Sequence, residues 1–247
     1  MKEKKVSFAY KILRFFVRAV YKKVDFEGTQ NVPAEPSIIV GNHTQTNGPI
    51  IFELYSPVDT YTWCAGDMMK LRDVPAYAYK DFWSQKSAVL KPIFKIVSYL
   101  IAPIAVCVFN NARTIGVYRD KRILHTFKDT VNRLNEGNHV VIFPEKDEHY
   151  NNILYEFQEG FVDVARLYFK RTGKEIDFVP VYIAPNLKKA VFGNPIRFNS
   201  GNDIENERKR ICDYLKTEIT NLAAALPRHK VVPYRNIKKK DYPYNID

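Results

Sequence analysis

Cysteine is scarce: Cys64, Cys107 and Cys212 are the only three in 247 residues, odd in number and widely spaced. That pattern excludes a disulfide framework and a cysteine metal site. It fits reduced thiols in a cytosol-facing protein. Glycine-rich and low-complexity stretches are absent as well, so the composition is globular rather than fibrous or disordered. Long apolar runs are missing: no stretch reaches the about 20 residues a spanning helix needs. The nearest, Ile96 to Phe109, is fourteen residues long and is interrupted by Pro103. After Met1-Lys2-Glu3-Lys4-Lys5 the chain is broken by Lys11, Arg14 and Arg18 with no small-residue cleavage site, so no cleavable signal is expected. No internal repeat and no dividing linker stands out, and one domain over 1–247 is the simplest expectation.

Acidic residues are in deficit. Thirty-eight Lys and Arg face 27 Asp and Glu, leaving +11. Such a surplus points to an anionic partner: nucleic acid, a membrane surface or a phosphorylated ligand. The cations are scattered and no nucleic-acid motif is present, which argues against nucleic acid.

The apolar pattern alternates between strand and helix. Residues 6–23 read as an amphipathic helix. Phe8, Ile12, Phe15, Phe16, Ala19 and Val20 share a side, Lys11, Arg14 and Arg18 flank it, and Lys22 and Lys23 close the last turn. This is either an interfacial membrane helix or a first helix packed on the core. Strands are expected at 24–28, 38–41, 61–65, 115–118, 139–143 and 178–183. Pro180 places the last of these at an edge or a bulge. Helices are expected from Ile50, with Pro49 at its first position, and over 121–135, 157–170 and 205–226. The apolar segment 88–109, with Lys91 and Lys95 at its start, is a buried core helix, an acyl-chain wall or a shallow membrane-inserted element. Residues 227–247 form a basic tail, either a solvated face or a contact with anionic lipid. The whole predicts an α/β fold, with a mostly parallel central sheet flanked by helices and an N-terminal amphipathic helix.

Three strands end in chemically loaded residues: His43, Arg119 and Glu145. Strand ends are where α/β folds gather their chemistry. If they converge, a base, a cation and a carboxylate make a pocket for an anionic substrate with a proton to lose. A histidine hydrogen-bonded within its own loop is the plainer alternative for His43 taken alone.

The pieces Asn42-His43, Gly116-Val117-Tyr118-Arg119, Val141-Ile142-Phe143-Pro144-Glu145, Phe157-Gln158-Glu159-Gly160-Phe161 and Val179-Pro180-Val181 follow one another in that order. Together they resemble the glycerophospholipid acyltransferase family, whose best known members are lysophosphatidic acid acyltransferases. The family pattern is N-H-x-x-x-x-D, a strand ending in Arg, F-P-E-G-T-R-S, a later F-K-x-G, and V-P-V. The resemblance implies that His43 is a general base acting on an acceptor hydroxyl. It implies that Arg119, Glu145, Lys146 and Gly160 belong to the acceptor site. It implies no cofactor: an acyl-CoA or acyl-carrier-protein thioester enters as co-substrate, and a lysophospholipid or related molecule accepts the acyl group. It implies no metal, and a peripheral place on the cytoplasmic face of the cell membrane.

The chain departs from the pattern twice. Gly48 stands where the family has its aspartate, which leaves Asn47, Glu145 or Asp67 as candidates to orient His43. Lys146-Asp147-Glu148-His149 stands in place of G-T-R-S, so an acidic residue takes the arginine's position. Two readings follow: an acyltransferase with a non-standard dyad, or a relative that binds lipid or acyl donor without turnover.

Overall fold

The computed structural model describes residues 6–83, 88–118 and 120–246. In chain order its helices are α1 (Phe8–Val20), α2 (Asn47–Tyr55), α3 (Val74–Ala78), α4 (Lys91–Asn111), α5 (Ile123–Asn135), α6 (Asp163–Thr172) and α7 (Ile204–Ala224). The strands are β1 (Asp25–Glu27), β2 (Ser37–Gly41), β3 (Thr60–Ala65), β4 (Thr114–Val117), β5 (His139–Ile142), β6 (Glu145–His149), β7 (Tyr155–Phe157), β8 (Asp177–Ala184), β9 (Lys189–Phe192) and β10 (Ile196–Arg197). The chain gathers into two compact units: Lys23–Thr62 with Phe127–Asp247, and Met1–Lys22 with Trp63–Thr126.

The larger unit is built on a sheet in the order β1-β9-β8-β2-β5-β3. Pairing is parallel for β1–β9, β8–β2, β2–β5 and β5–β3, and antiparallel for β8–β9 and β8–β10. This is the mostly parallel α/β sheet that the strand–helix alternation predicts. β2 and β5 are buried along their whole length, which is why they read as unbroken β-branched runs.

Pro180 overturns its expected edge position. β8 lies between β2 and β9, and Val40 pairs with Pro180. The reason lies on the opposite side. There the partner of β8 changes from β9, which ends at Phe192, to β10, which starts at Ile196. The Pro180 carbonyl accepts from Gly193 N at 2.9 Å. In a strand a residue's N–H side is also its C=O side, so the missing donor falls where the ladder is already interrupted.

Helix boundaries also move. α1 stops at Val20, leaving Lys22 and Lys23 outside its last turn. α2 begins at Asn47, so Pro49 is its third residue. That position costs nothing, because the first four helical N–H groups have no partner within the helix. α6 begins at Asp163, because Phe157 belongs to β7 and Glu159–Val162 forms a 3-10 turn.

In the smaller unit β4 lies beside the far end of β3, and α1 packs on α4. Ser7 caps α1 by accepting from Tyr10 N, while its own N–H donates to Asn111 Oδ1 at 2.9 Å. Met68, Val74, Ala78 and Ala102 form a small apolar cluster. The core-helix reading of 88–109 does not hold. Within α4 only Ser98 and Ala102 are buried, while Ile96, Tyr99 and Leu100 stand out, the last 70% exposed. Nor does the expectation that no segment is long enough to span. α4 has 21 residues and is long and apolar enough, by length and composition, to cross a membrane, because Pro103 is accommodated within the helix. Phe8, Phe15, Phe16 and Val20 of α1 are likewise exposed.

Candidate active site

β2 delivers His43 through a tightly specified exit. A β-carbon on Gly41 would stand 2.7 Å from Val181 Cγ1 and 2.9 Å from its carbonyl, so only glycine permits this approach to β8. Asn42 continues the ladder with its side chain: Oδ1 accepts from Ile183 N at 2.7 Å and Nδ2 donates to Ile183 O at 3.0 Å. The chain then turns through Thr44 (φ 48°) and Gln45 (φ 57°), both left-handed and neither glycine. A β-branched residue in that region is strained and is retained only where the surroundings enforce it.

Glu145 supplies the enforcement. Its Oε1 accepts from the backbone N–H of His43 at 2.6 Å, and its Oε2 from Tyr155 N at 2.7 Å. The carboxyl therefore ties the His43 turn to the β6–β7 hairpin. It is 3% exposed, and burial pushes it up to about 7 against the pull of those two N–H groups. Both of its oxygens are engaged with backbone N–H groups.

The imidazole of His43 lies between two rings. Phe143 is 5.4 Å away at 68° and Tyr234 is 5.6 Å away at 82°, both edge-on. His43 Nδ1 and the neighbouring Thr44 Oγ1 are buried, and neither has a hydrogen-bond partner among the described residues. Desolvation lowers His43 to about 4, with the Gln45 backbone opposing it, so the ring is neutral at physiological pH. Two adjacent polar atoms without partners among the described residues thus stand on a strained turn at the end of a central strand.

The other expected residues are placed as follows. The Asn47 side chain donates to Thr44 O at 2.8 Å and bonds neither Nδ1 nor, through it, the tautomer. Lys146 pairs with Glu148 Oε2 at 2.7 Å in an ion pair open to solvent, which raises its affinity for a proton. Gly160 lies in the turn before α6, where an added β-carbon would meet nothing within 4 Å, so no close approach requires a glycine there. Arg119 lies outside the described residues. Asp67 pairs with Arg122 at 4.0 Å in the other unit.

Sequence reasoning missed Tyr234. The basic tail keeps Arg228, Lys238, Lys239 and Lys240 exposed, as a solvated face requires, but it is also anchored: Val231 and Val232 are buried, and His229 Nε2 meets Tyr182 Oη at 2.8 Å. The available signal is the apolar pair Val231-Val232 just ahead of Tyr234 in an otherwise basic stretch.

No protein-family model and no curated protein matches the chain. Among solved structures it is similar to the crystal structure of the 1-acyl-sn-glycerophosphate (LPA) acyltransferase, PlsC, from Thermotoga maritima. The identity is 15%, 90% of this chain and 84% of that chain are covered, and the TM-score is 0.45.

Proposed function

We propose that this chain is an O-acyltransferase moving a fatty acyl group from an acyl-CoA or acyl-carrier-protein thioester to a hydroxyl of a lysophospholipid or related acceptor. The observation that carries the reading is the His43 turn. A neutral imidazole follows the central strand, Glu145 grips its backbone, and its Nδ1 has no partner among the described residues. In this scheme His43 takes the proton of the acceptor hydroxyl as the oxygen attacks the thioester carbonyl. The C–S bond then breaks, and the thiolate leaves with the proton returned by the imidazolium. No carboxylate among the described residues bonds Nδ1 to steady that imidazolium. In triad enzymes the equivalent loss costs about four powers of ten in rate, so slow turnover is expected.

The exposed apolar residues of α1 and α4, bordered by Lys11, Arg14, Arg18, Lys91 and Lys95, support a peripheral seat on an anionic membrane at its cytoplasmic face. No nucleic acid and no cofactor enters the scheme. Lys146 is already paired with Glu148, which favours acceptors bound through other cations, Arg119 among the candidates.

One observation favours a second reading, a protein that binds lipid or acyl donor without turnover: Phe143 occupies the space an aspartate at position 48 would need. Thiol release from acyl-CoA and acyl-carrier-protein donors, with phosphorylated and neutral monoacyl acceptors in detergent, separates the two. Acceptor-dependent release supports the enzyme. Donor or lipid binding with no release from any pairing supports the binder.

A further inference from the structure

The segment that packs against the half-buried His43 through Tyr234 is a closed loop. Val231 N donates to Pro243 O at 2.8 Å, Lys230 and Tyr244 form an antiparallel bridge, and His229 N donates to Asn245 Oδ1 at 2.7 Å. Asn245 Nδ2 donates to Ala223 O at 2.8 Å, which fixes this neck to the end of α7. Residues 232–242 therefore leave and return at one point, the form of an Ω-loop.

The inner side of the loop meets the His43 turn. Tyr234 sits edge-on to the imidazole and 5.7 Å from the Tyr155 ring. Gln45 Nε2 donates to Tyr242 Oη at 3.1 Å. Arg235 Nε reaches Asp147 Oδ1 at 3.4 Å, in an ion pair exposed on both sides. The outer side presents Lys238, Lys239 and Lys240, all exposed. The neck is bonded, with His229, Val231 and Asn245 buried, whereas the tip meets the His43 turn through ring edges, two side-chain bonds from Gln45 (to Tyr242 Oη and, at 3.5 Å, to Arg235 O) and an exposed ion pair. Contacts of that kind are weak, so the tip can detach while the neck stays folded.

We propose that this loop is a lid over His43, with Tyr234 as the covering residue, and that an anionic lipid surface opens it. A ligand shifts a closed–open equilibrium only if it binds the open state better. An anionic headgroup meets that condition, because it competes with Asp147 for Arg235 and gains Lys238, Lys239 and Lys240 on the same rim. His43 is half-buried with the loop in place, so opening would expose more of the ring and relieve part of the desolvation that depresses its basicity.

The inference rests on His43 as the reacting group, but its test does not need turnover. The probe is diethylpyrocarbonate, with modification of the His43 peptide followed by mass spectrometry. Wild-type His43 should react slowly. Tyr234→Ala should react roughly tenfold faster or more, and Tyr234→Phe, which keeps the ring, should stay slow. Phosphatidylglycerol vesicles should move the wild type toward the Tyr234→Ala rate and phosphatidylcholine vesicles should not. A variant with Lys238, Lys239 and Lys240 all changed to Ala should lose that response. Equal rates in wild type and Tyr234→Ala would overturn the lid, and equal effects of the two vesicles would overturn its trigger. Absent acyl transfer with these rates as expected would instead count against the acyltransferase reading alone.

Discussion

Phe143 and Gly48 occupy one space. A β-carbon built on Gly48 would stand 2.8 Å from Phe143 Cζ and 2.9 Å from the His43 carbonyl. The missing aspartate is thus not a simple vacancy: the ring that flanks the imidazole has filled its place. Gly48→Asp should therefore fail to rebuild a dyad. It should destabilise the protein by about 1–3 kcal/mol through overpacking. A lowered Tm with no gain in turnover is expected, and faster turnover at unchanged Tm would contradict it.

His43 and Glu145 should give opposing pH dependences of stability. An unfolded chain protonates histidine near 6.5, but the fold resists this until about 4, so the contribution of His43 grows as pH rises between those values. Glu145 keeps its proton to about 7 in the fold and loses it near 4.5 when unfolded, so its contribution falls as pH rises from 4.5 to 7. The two largely cancel between 4.5 and 6.5. His43→Gln removes the first. Urea unfolding of that variant should show stability falling by about 3 kcal/mol from pH 4.5 to 7. A slope equal to the wild type's, to which the burial-lowered His139 also contributes, would contradict the assignment.

The exposed face of α1 should carry membrane contact. Changing Phe8, Phe15 and Phe16 together to Ser should reduce co-sedimentation with anionic vesicles and leave the fold intact, since all three point outward. Tyr10→Ser, at the one buried position of α1, should lower Tm instead. Undiminished sedimentation of the triple variant would place the contact elsewhere, with α4 the next surface to change.

Much of this architecture is legible in the residues. Ser37-Ile38-Ile39-Val40 can hardly be other than a buried strand, and the polar turn after Gly41 fixes where His43 emerges. Helix α5 is read from its periodicity and from Gly137, whose φ of 90° suits only that residue. What the pattern does not encode is the partner. An apolar period says that a face is apolar, not that something covers it, so α4 reads as core although its residues stand exposed. The charged run Glu145–His149 shows no apolar alternation, which hides β6 and its pairing with β7. Glu145 is legible as the end of a strand. That it grips a backbone N–H 102 residues away, and not a substrate, depends on side-chain direction. Tyr234 lies farther still from His43 in sequence, and only the folded tail brings the rings together.

The central claim is that His43 is the base of an acyl transfer. Thiol release from the best donor–acceptor pair, wild type beside His43→Ala, tests it most directly. Retained far-ultraviolet circular dichroism and Tm would show that the variant is folded. The account predicts acceptor-dependent release by the wild type and a loss of at least about a hundredfold in His43→Ala. Release at the wild-type rate in the variant would contradict it.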